Sequence, residues 1–311
     1  MSIHFFNLHN TATSMSRVIY PHAWTPKLAI LFLGIMLIAG CSTVERRLSQ
    51  IDQLPADDTQ VLSVNLKDTQ HPSSLVTLPT RPGVELTTLV IRPYEPIGNV
   101  ILFAGGHGNL WLDAPEQTLD IGWGKNNFLV RSADIFASLG FTVVVIDTPS
   151  DHVYMFDGFR NSAEHVKDLE AVIAYMRQQN DNPVWLVGTS RGTESAAFVA
   201  LYSREKIDGL VLTSSMTIFN YRGRTVTSLP LRKITVPTLI VAHKHDGCYW
   251  TPPRGAEWIK QKMSNARHVE LRYFEGGLTP QAGPCRGLSE HGFYGIENEV
   301  VGSIAKFINE H

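Results

Sequence analysis

The stretch Val184-Trp185-Leu186-Val187-Gly188-Thr189-Ser190-Arg191-Gly192-Thr193-Glu194-Ser195-Ala196-Ala197 decides how the rest of the chain reads. Four consecutive apolar residues running into a glycine fit a strand buried on both faces. The small residues Ala196, Ala197 and Ala200 fit a tightly packed helix, expected over 192–202. Between the two, Gly-x-Ser-x-Gly places Ser190 on a sharp turn, where side chains two positions before or after the serine would collide. The turn also sets Ser190 at a helix N-terminus, whose partial positive charge favours a nearby oxyanion. A tight turn with an idle serine is the plain alternative. The strand–turn–helix setting favours an exposed nucleophile.

Outward from this stretch, β-rich apolar runs alternate with helical patterns. Strands are expected at 61–66, 75–78, 85–93, 99–103, 141–146, 184–187, 210–212, 238–242 and 269–273. Helices are expected at 127–139, from Asn161 onward, at 192–202 and at 297–308. Asn161 and Glu164 have the spacing of a capping box, and Val166, Leu169, Ile173 and Met176 follow at helical spacing. Unalternated strands separated by helices predict a mainly parallel central sheet with helices on both faces. A ligand site then lies beyond the carboxyl ends of the strands.

A serine nucleophile needs a base, and the base needs an orienting acid. His291, in Ser289-Glu290-His291-Gly292-Phe293, stands between a Gly/Pro-rich loop and the final helix. Asp246 follows the strand at 238–242 and is the candidate acid; Asp147 and Asp151 are its rivals. With these residues in place, the chain resembles the α/β-hydrolase superfamily over about 60–310. It is nearest to secreted bacterial serine hydrolases of lipoprotein type that share the Gly-Thr-Ser-Arg-Gly and His-Gly-Phe stretches. The resemblance implies an α/β-hydrolase fold, with Ser190 as nucleophile, Asp246 as orienting acid and His291 as base. It implies no cofactor. The oxyanion hole is expected from the backbone N–H of Arg191 and that of Gly106 or His107, in Ala104-Gly105-Gly106-His107-Gly108.

His243 and His245 are two apart on a strand, so with Asp246 they form an alternative, metal-binding reading. The main reading assigns no metal. The segments 107–124 and 149–160 carry aromatic residues that could line a rim, and only 216–236 lies where a lid would be. No large cap domain is therefore expected. Arg160 and Arg191 are weighed as carboxylate binders against structural pairing. The substrate reading is a small or polymeric carboxylic ester. A peptidase or an acyltransferase would use the same residues, and a non-catalytic envelope-binding lipoprotein would need none of them.

Composition narrows the class. The 311 residues carry 27 Lys plus Arg against 29 Asp plus Glu, a net charge of −2. No basic excess exists for a general nucleic-acid binder. The 43% apolar content excludes a disordered chain. Residues 1–40 hold Arg17, Lys27 and no acid, and an apolar run from Leu28 meets Leu37-Ile38-Ala39-Gly40-Cys41. The run is too short to span a bilayer and suits a signal peptide. It resembles the lipobox of bacterial lipoproteins, which makes Cys41 the lipidation site. Met15 is an alternative start. The expected organisation is a signal peptide over 1–40, a tether over 41–59 and a hydrolase domain over 60–311. The expected location is the bacterial envelope, at the outer membrane facing the periplasm. With Cys41 acylated, Cys248 and Cys285 are the only remaining cysteines and are expected to pair, because the loops carrying Asp246 and His291 must meet at Ser190.

Overall fold

The computed structural model describes residues 62–65, 71–156, 158–219 and 224–311. The expected signal peptide, Cys41 and the tether lie outside the described residues. In chain order the elements are β1 (Leu62–Asn65), β2 (Ser73–Arg81), β3 (Val84–Ile91), β4 (Gly98–Phe103), β5 (Leu112–Asp113), β6 (Thr118–Ile121), α1 (Phe128–Arg131), α2 (Ala133–Ser138), β7 (Phe141–Pro149), α3 (Ala163–Gln179), β8 (Val184–Thr189), α4 (Gly192–Tyr202), β9 (Gly209–Thr213), β10 (Thr238–His243), α5 (Gly255–Lys262), β11 (Val269–Phe274) and α6 (Glu297–Glu310).

Eight strands form the central sheet in the order β11-β10-β9-β8-β4-β7-β3-β2. From β7 through β11 the neighbours are parallel. β3 runs antiparallel to both β7 and β2, and the β2–β3 register shifts between Pro79 and Arg81. All six residues of β4, β8 and β10 are buried, because both faces of the sheet are covered. The period of two along each strand then divides the core. Val100, Leu102, Val187, Val211 and Val241 pack with Phe128 and Phe136, and with Val300, Val301 and Ile304 of α6. Ile101, Phe103, Leu186, Leu212 and Ile240 pack on the other face with Leu169, Val172, Ile173 and Met176 of α3, and with Ala196 and Ala197 of α4. This is the α/β-hydrolase arrangement expected from the sequence. Between β9 and β10 the described residues form two short 3-10 turns, Val226–Ser228 and Leu231–Lys233.

Several local expectations are corrected. The helix over 127–139 breaks at Ser132, a fully buried residue whose carbonyl accepts from the N–H groups of both Ile135 and Phe136. The cap of α3 is Ser162, whose hydroxyl accepts from the His165 N–H at 3.1 Å; Asn161 belongs to the preceding 3-10 turn. β1 does not join the main sheet. It pairs antiparallel with β6, and β6 with β5, in a separate three-stranded sheet. Thus part of the segment read as a rim loop is strand. α5 was not anticipated; its buried face is Gly255, Ala256 and Ile259. Among the described residues no helix is long and apolar enough to cross a membrane.

Candidate active site

Ser190 sits between β8 and α4 with φ +52°, in the left-handed region that costs a non-glycine residue energy. The flanking glycines make the turn possible. A Cβ on Gly188 would lie 2.6 Å from the Gly192 carbonyl oxygen, and one on Gly192 would lie 2.0 Å from the carbonyl oxygen of Phe103. Hydrogen bonds hold the strain in place. The Ser190 N–H donates to the Thr213 carbonyl at 3.0 Å. The Thr193 N–H and hydroxyl both donate to the Ser190 carbonyl, at 3.0 and 2.5 Å.

Asp246 lies on the turn after β10 and is buried. Its Oδ1 accepts from the Cys248 N–H at 2.9 Å. Its Oδ2 accepts from the Thr251 hydroxyl at 2.9 Å and lies 3.0 Å from His291 Nδ1. An Nδ1–H donated to this carboxylate leaves Nε2 as the basic nitrogen of the imidazole. Thr251 Oγ1 is also 3.0 Å from His291 Nδ1. The Ser214 hydroxyl donates to the His291 carbonyl at 2.8 Å, and Arg131 donates to the carbonyl of Gly292 at 2.6 Å. His291 and Ser190 border the same cavity of about 70 Å³.

A disulfide joins Cys248 to Cys285, as the sequence led us to expect, with 4.6 Å between their Cα atoms. It ties the loop after Asp246 to the loop before His291.

Gly105 and Gly106 also border the cavity. A Cβ on Gly105 would lie 2.9 Å from Ser190 Cβ, so this loop is in contact with the serine. The loop is fixed from behind by Arg160, which is 2% exposed. Its guanidinium donates to the carbonyls of Ala104 and Gly106 at 3.2 and 3.3 Å, and to Ser195 Oγ of α4 at 2.9 Å. Arg160 is therefore a structural residue, and burial lowers its pKa to about 10. Further along, Asp147 anchors the loop by accepting from the N–H groups of Leu110 and Leu112 at 2.6 and 2.9 Å. Burial pushes its pKa up, and those backbone donors oppose the shift. Asp151 pairs with Arg81 at 2.8 Å. Neither rival acid contacts His291.

Each remaining candidate has a definite environment. The His107 ring turns away into an aromatic cluster, 3.9 Å from Trp123 and 4.6 Å from Tyr154 between centroids. Its Nδ1 accepts from the Asn109 N–H at 3.1 Å, and burial, with Arg160 and Arg286 nearby, lowers its pKa to about 3. The Arg191 side chain lies 3.6 Å from Glu194 Oε1 and 5.6 Å over the Phe156 ring. Glu194 is buried, which raises its pKa to about 7 against the pull of Arg160 and Arg191. Both ring nitrogens of His243 face backbone groups: Nδ1 accepts from the His245 N–H, and Nε2 is 3.1 Å from the Gly276 carbonyl. Among the described residues no group of three or more His, Cys, Asp or Glu is placed to hold a metal ion.

Sequence reasoning missed Thr251, Ser214 and Arg131. Ser214 alone left a trace, as a polar residue just after an apolar strand, and it too has positive φ, +43°.

Neither a protein-family model nor a curated protein matches the sequence. Solved structures do match. An esterase of Pyrococcus furiosus aligns with a TM-score of 0.56 at 14% identity, covering 78% of this chain and 94% of that one. An α/β serine hydrolase without lid from Xanthomonas campestris aligns with 0.51 at 16%, covering 76% and 94%. A dienelactone hydrolase of Anabaena variabilis aligns with 0.54 at 14%, covering 78% and 99%. The chain has the α/β-hydrolase fold.

Two predictions follow from the buried groups and the disulfide. The first concerns pH. His107 and His165 are both held neutral, each with a pKa lowered to about 3 by burial. The unfolded chain takes up these protons near pH 6.5 and the folded chain does not, so stability should fall as pH drops from about 6.5 toward 3. Glu194 acts in the opposite direction. Its folded pKa is raised, so its contribution is full below about pH 4.5 and is lost as pH rises through about 7. Glu194→Gln should therefore gain stability relative to the wild type as pH rises from about 5 to 8, by on the order of 3 kcal/mol. Urea unfolding at a series of pH values measures both slopes, and a gain independent of pH would contradict the Glu194 assignment.

The second concerns the covalent link. The bridged cysteines are 37 residues apart, and closing a loop of that size stabilises by about 4 kcal/mol before native strain is subtracted. The double variant Cys248→Ser/Cys285→Ser should melt at a lower temperature than the wild type. Dithiothreitol should lower the wild-type melting point and leave the variant's unchanged.

Proposed function

We propose that the protein is a serine hydrolase acting on carboxylic esters. The observation that carries this reading is that a half-buried serine with a strained backbone borders the same small cavity as an imidazole bonded to a buried carboxylate. In this reading Ser190 Oγ attacks the ester carbon while its proton passes to His291 Nε2. Asp246 and Thr251 hold the imidazole through Nδ1, and the Asp246 carboxylate stabilises the imidazolium that forms. The carbonyl oxygen becomes an anion at the N-terminus of α4, where the Arg191 and Gly106 amides serve as donors. Gly106 is preferred to His107 because Gly106 borders the cavity. The tetrahedral intermediate collapses by expelling the alcohol, which takes the proton from His291. Water, deprotonated by His291, then releases the acid from Ser190. The similar structures named above as esterases and hydrolases support ester hydrolysis over peptide cleavage.

Ser190→Ala should fold with an unchanged melting profile and lose turnover by on the order of a million-fold, and His291→Ala should fall to a similar floor, because the two act as a unit. Hydrolysis of p-nitrophenyl acetate, with fluorophosphonate labelling of Ser190, reads both out. EDTA should leave the rate unchanged. A Ser190→Ala protein that kept most of its activity would end the serine mechanism.

We also propose that the domain is exported and anchored to the bacterial envelope through lipid on Cys41, facing the periplasm. The support is the Leu37–Cys41 sequence and a disulfide suited to an oxidising compartment. Cys41→Ser should abolish incorporation of a fatty-acid probe in living cells. Equal labelling of the variant would refute the assignment.

A further inference from the structure

The cavity at Ser190 is far smaller than the pockets of about 300–1,000 Å³ that enclose drug-sized ligands. Its volume is about 70 Å³. Space of that order seats a small group and not a long chain.

The walls are built so that the cavity does not widen easily. Trp123 is 6% exposed and is backed by the His107 ring at 3.9 Å. It also lies against the oxyanion loop: a Cβ on Gly106 would meet Trp123 Cη2 at 2.4 Å. Phe128 is 1% exposed and packs on Phe293 with ring centroids 4.9 Å apart. Gly287 is pressed on the carbonyl of Asn126, which a Cβ would approach to 1.9 Å. The disulfide at Cys285 holds the loop that carries Gly287. A substrate too long for this space would have to displace packed aromatic rings or backbone, and overpacking of that kind costs about 1–3 kcal/mol.

The two ends of an ester make different demands on such a site. The alcohol leaves first, takes a proton from His291 and needs a path to solvent. The acyl group stays on Ser190 through the second half of the reaction and needs an enclosed seat. We propose that this cavity is an acyl subsite limited to short chains, from acetyl to about butyryl, with Trp123 as the residue that sets the limit, and that the alcohol remains outside it. The proposal deepens the serine-hydrolase reading and rests on it. It names the substrates as short-chain acyl esters of alcohols whose size the cavity does not restrict.

The test uses two series of esters with the full-length protein. In the first, p-nitrophenol is the constant leaving group and the acyl chain lengthens from acetate through butyrate and hexanoate to octanoate. kcat/KM should fall by about 100-fold between butyrate and octanoate. In the second, acetate is constant and the alcohol grows from phenyl to 2-naphthyl to 4-phenylphenyl, and kcat/KM should change by no more than about three-fold, a difference well under 1 kcal/mol. Trp123→Ala should raise the octanoate-to-acetate ratio by at least about tenfold; Trp123→Phe, the milder change, should shift it in the same direction. A wild-type enzyme that handles octanoate as well as acetate would overturn the proposal and leave the hydrolase reading standing. So would a flat acyl series with a steep alcohol series, or a Trp123→Ala variant with an unchanged ratio. If Trp123→Ala does not fold, the two wild-type series decide alone. Wild-type protein that hydrolyses no ester and takes no fluorophosphonate label would overturn the hydrolase reading, and the acyl subsite with it.

Discussion

The close approach of the first turn of α4 to the end of β4 is the constraint on which the site depends. Gly192 rests against the backbone of Phe103 with no room for a side chain. This contact sets the helix start beside the Ala104–Gly106 loop. Two sets of backbone amides are thereby brought to one place, and Ser190 is left in a conformation that an unsupported chain would abandon. The supports are the parallel neighbours: Thr213 of β9 receives the Ser190 N–H, and Thr193 closes the turn from the helix side. The rigid β-sheet, buried on both faces, stores strain that a loop could not hold.

A second layer of buried polar groups surrounds this turn. Arg160 reaches both the glycine loop and α4, and so couples the positions of the two. Asp147 collects the amides of the following segment. On the opposite side, Thr251 from the Asp246 loop, Ser214 from the turn after β9 and Arg131 from α1 hold the Asp246 carboxylate and the His291 loop. Each of these groups is costly to bury and is stabilised by its partners. Together they make the orientation of the imidazole a property of the fold and independent of any one loop.

What could be read from the sequence follows from how local the cause is. The Ser190 turn was legible because its two glycines are required by sterics within five residues. Asp246 and His291 were legible because residues just beyond a strand end or before a final helix can face the site. Thr251 was not, since a threonine before Pro252 and Pro253 looks like any turn residue until the disulfide brings the two loops together. β5 and β6 were missed because they are short and are joined through Glu116 and Gln117, whose positive φ values no residue type there announces. Asn161 and Ser162 are adjacent capping residues, and the 3-10 turn that takes in Asn161 settled the choice. Arg160 carried no sequence sign of burial; its partners come from the loop after β4 and from α4, far apart in the chain.

The register shift between Pro79 and Arg81 in β2 has a consequence for assembly. β2 and β11 are the two borders of the main sheet, where unpaired backbone groups invite another chain to add as a further strand. β2 carries a proline and a bulge, and its Arg81 is drawn sideways to Asp168 and Asp151. On β11, Arg272 and Glu270 form an ion pair at 2.6 Å. A second molecule arriving edge-on meets an interrupted ladder on one side and paired charges on the other. Growth of the sheet into a continuous ribbon is disfavoured at both ends.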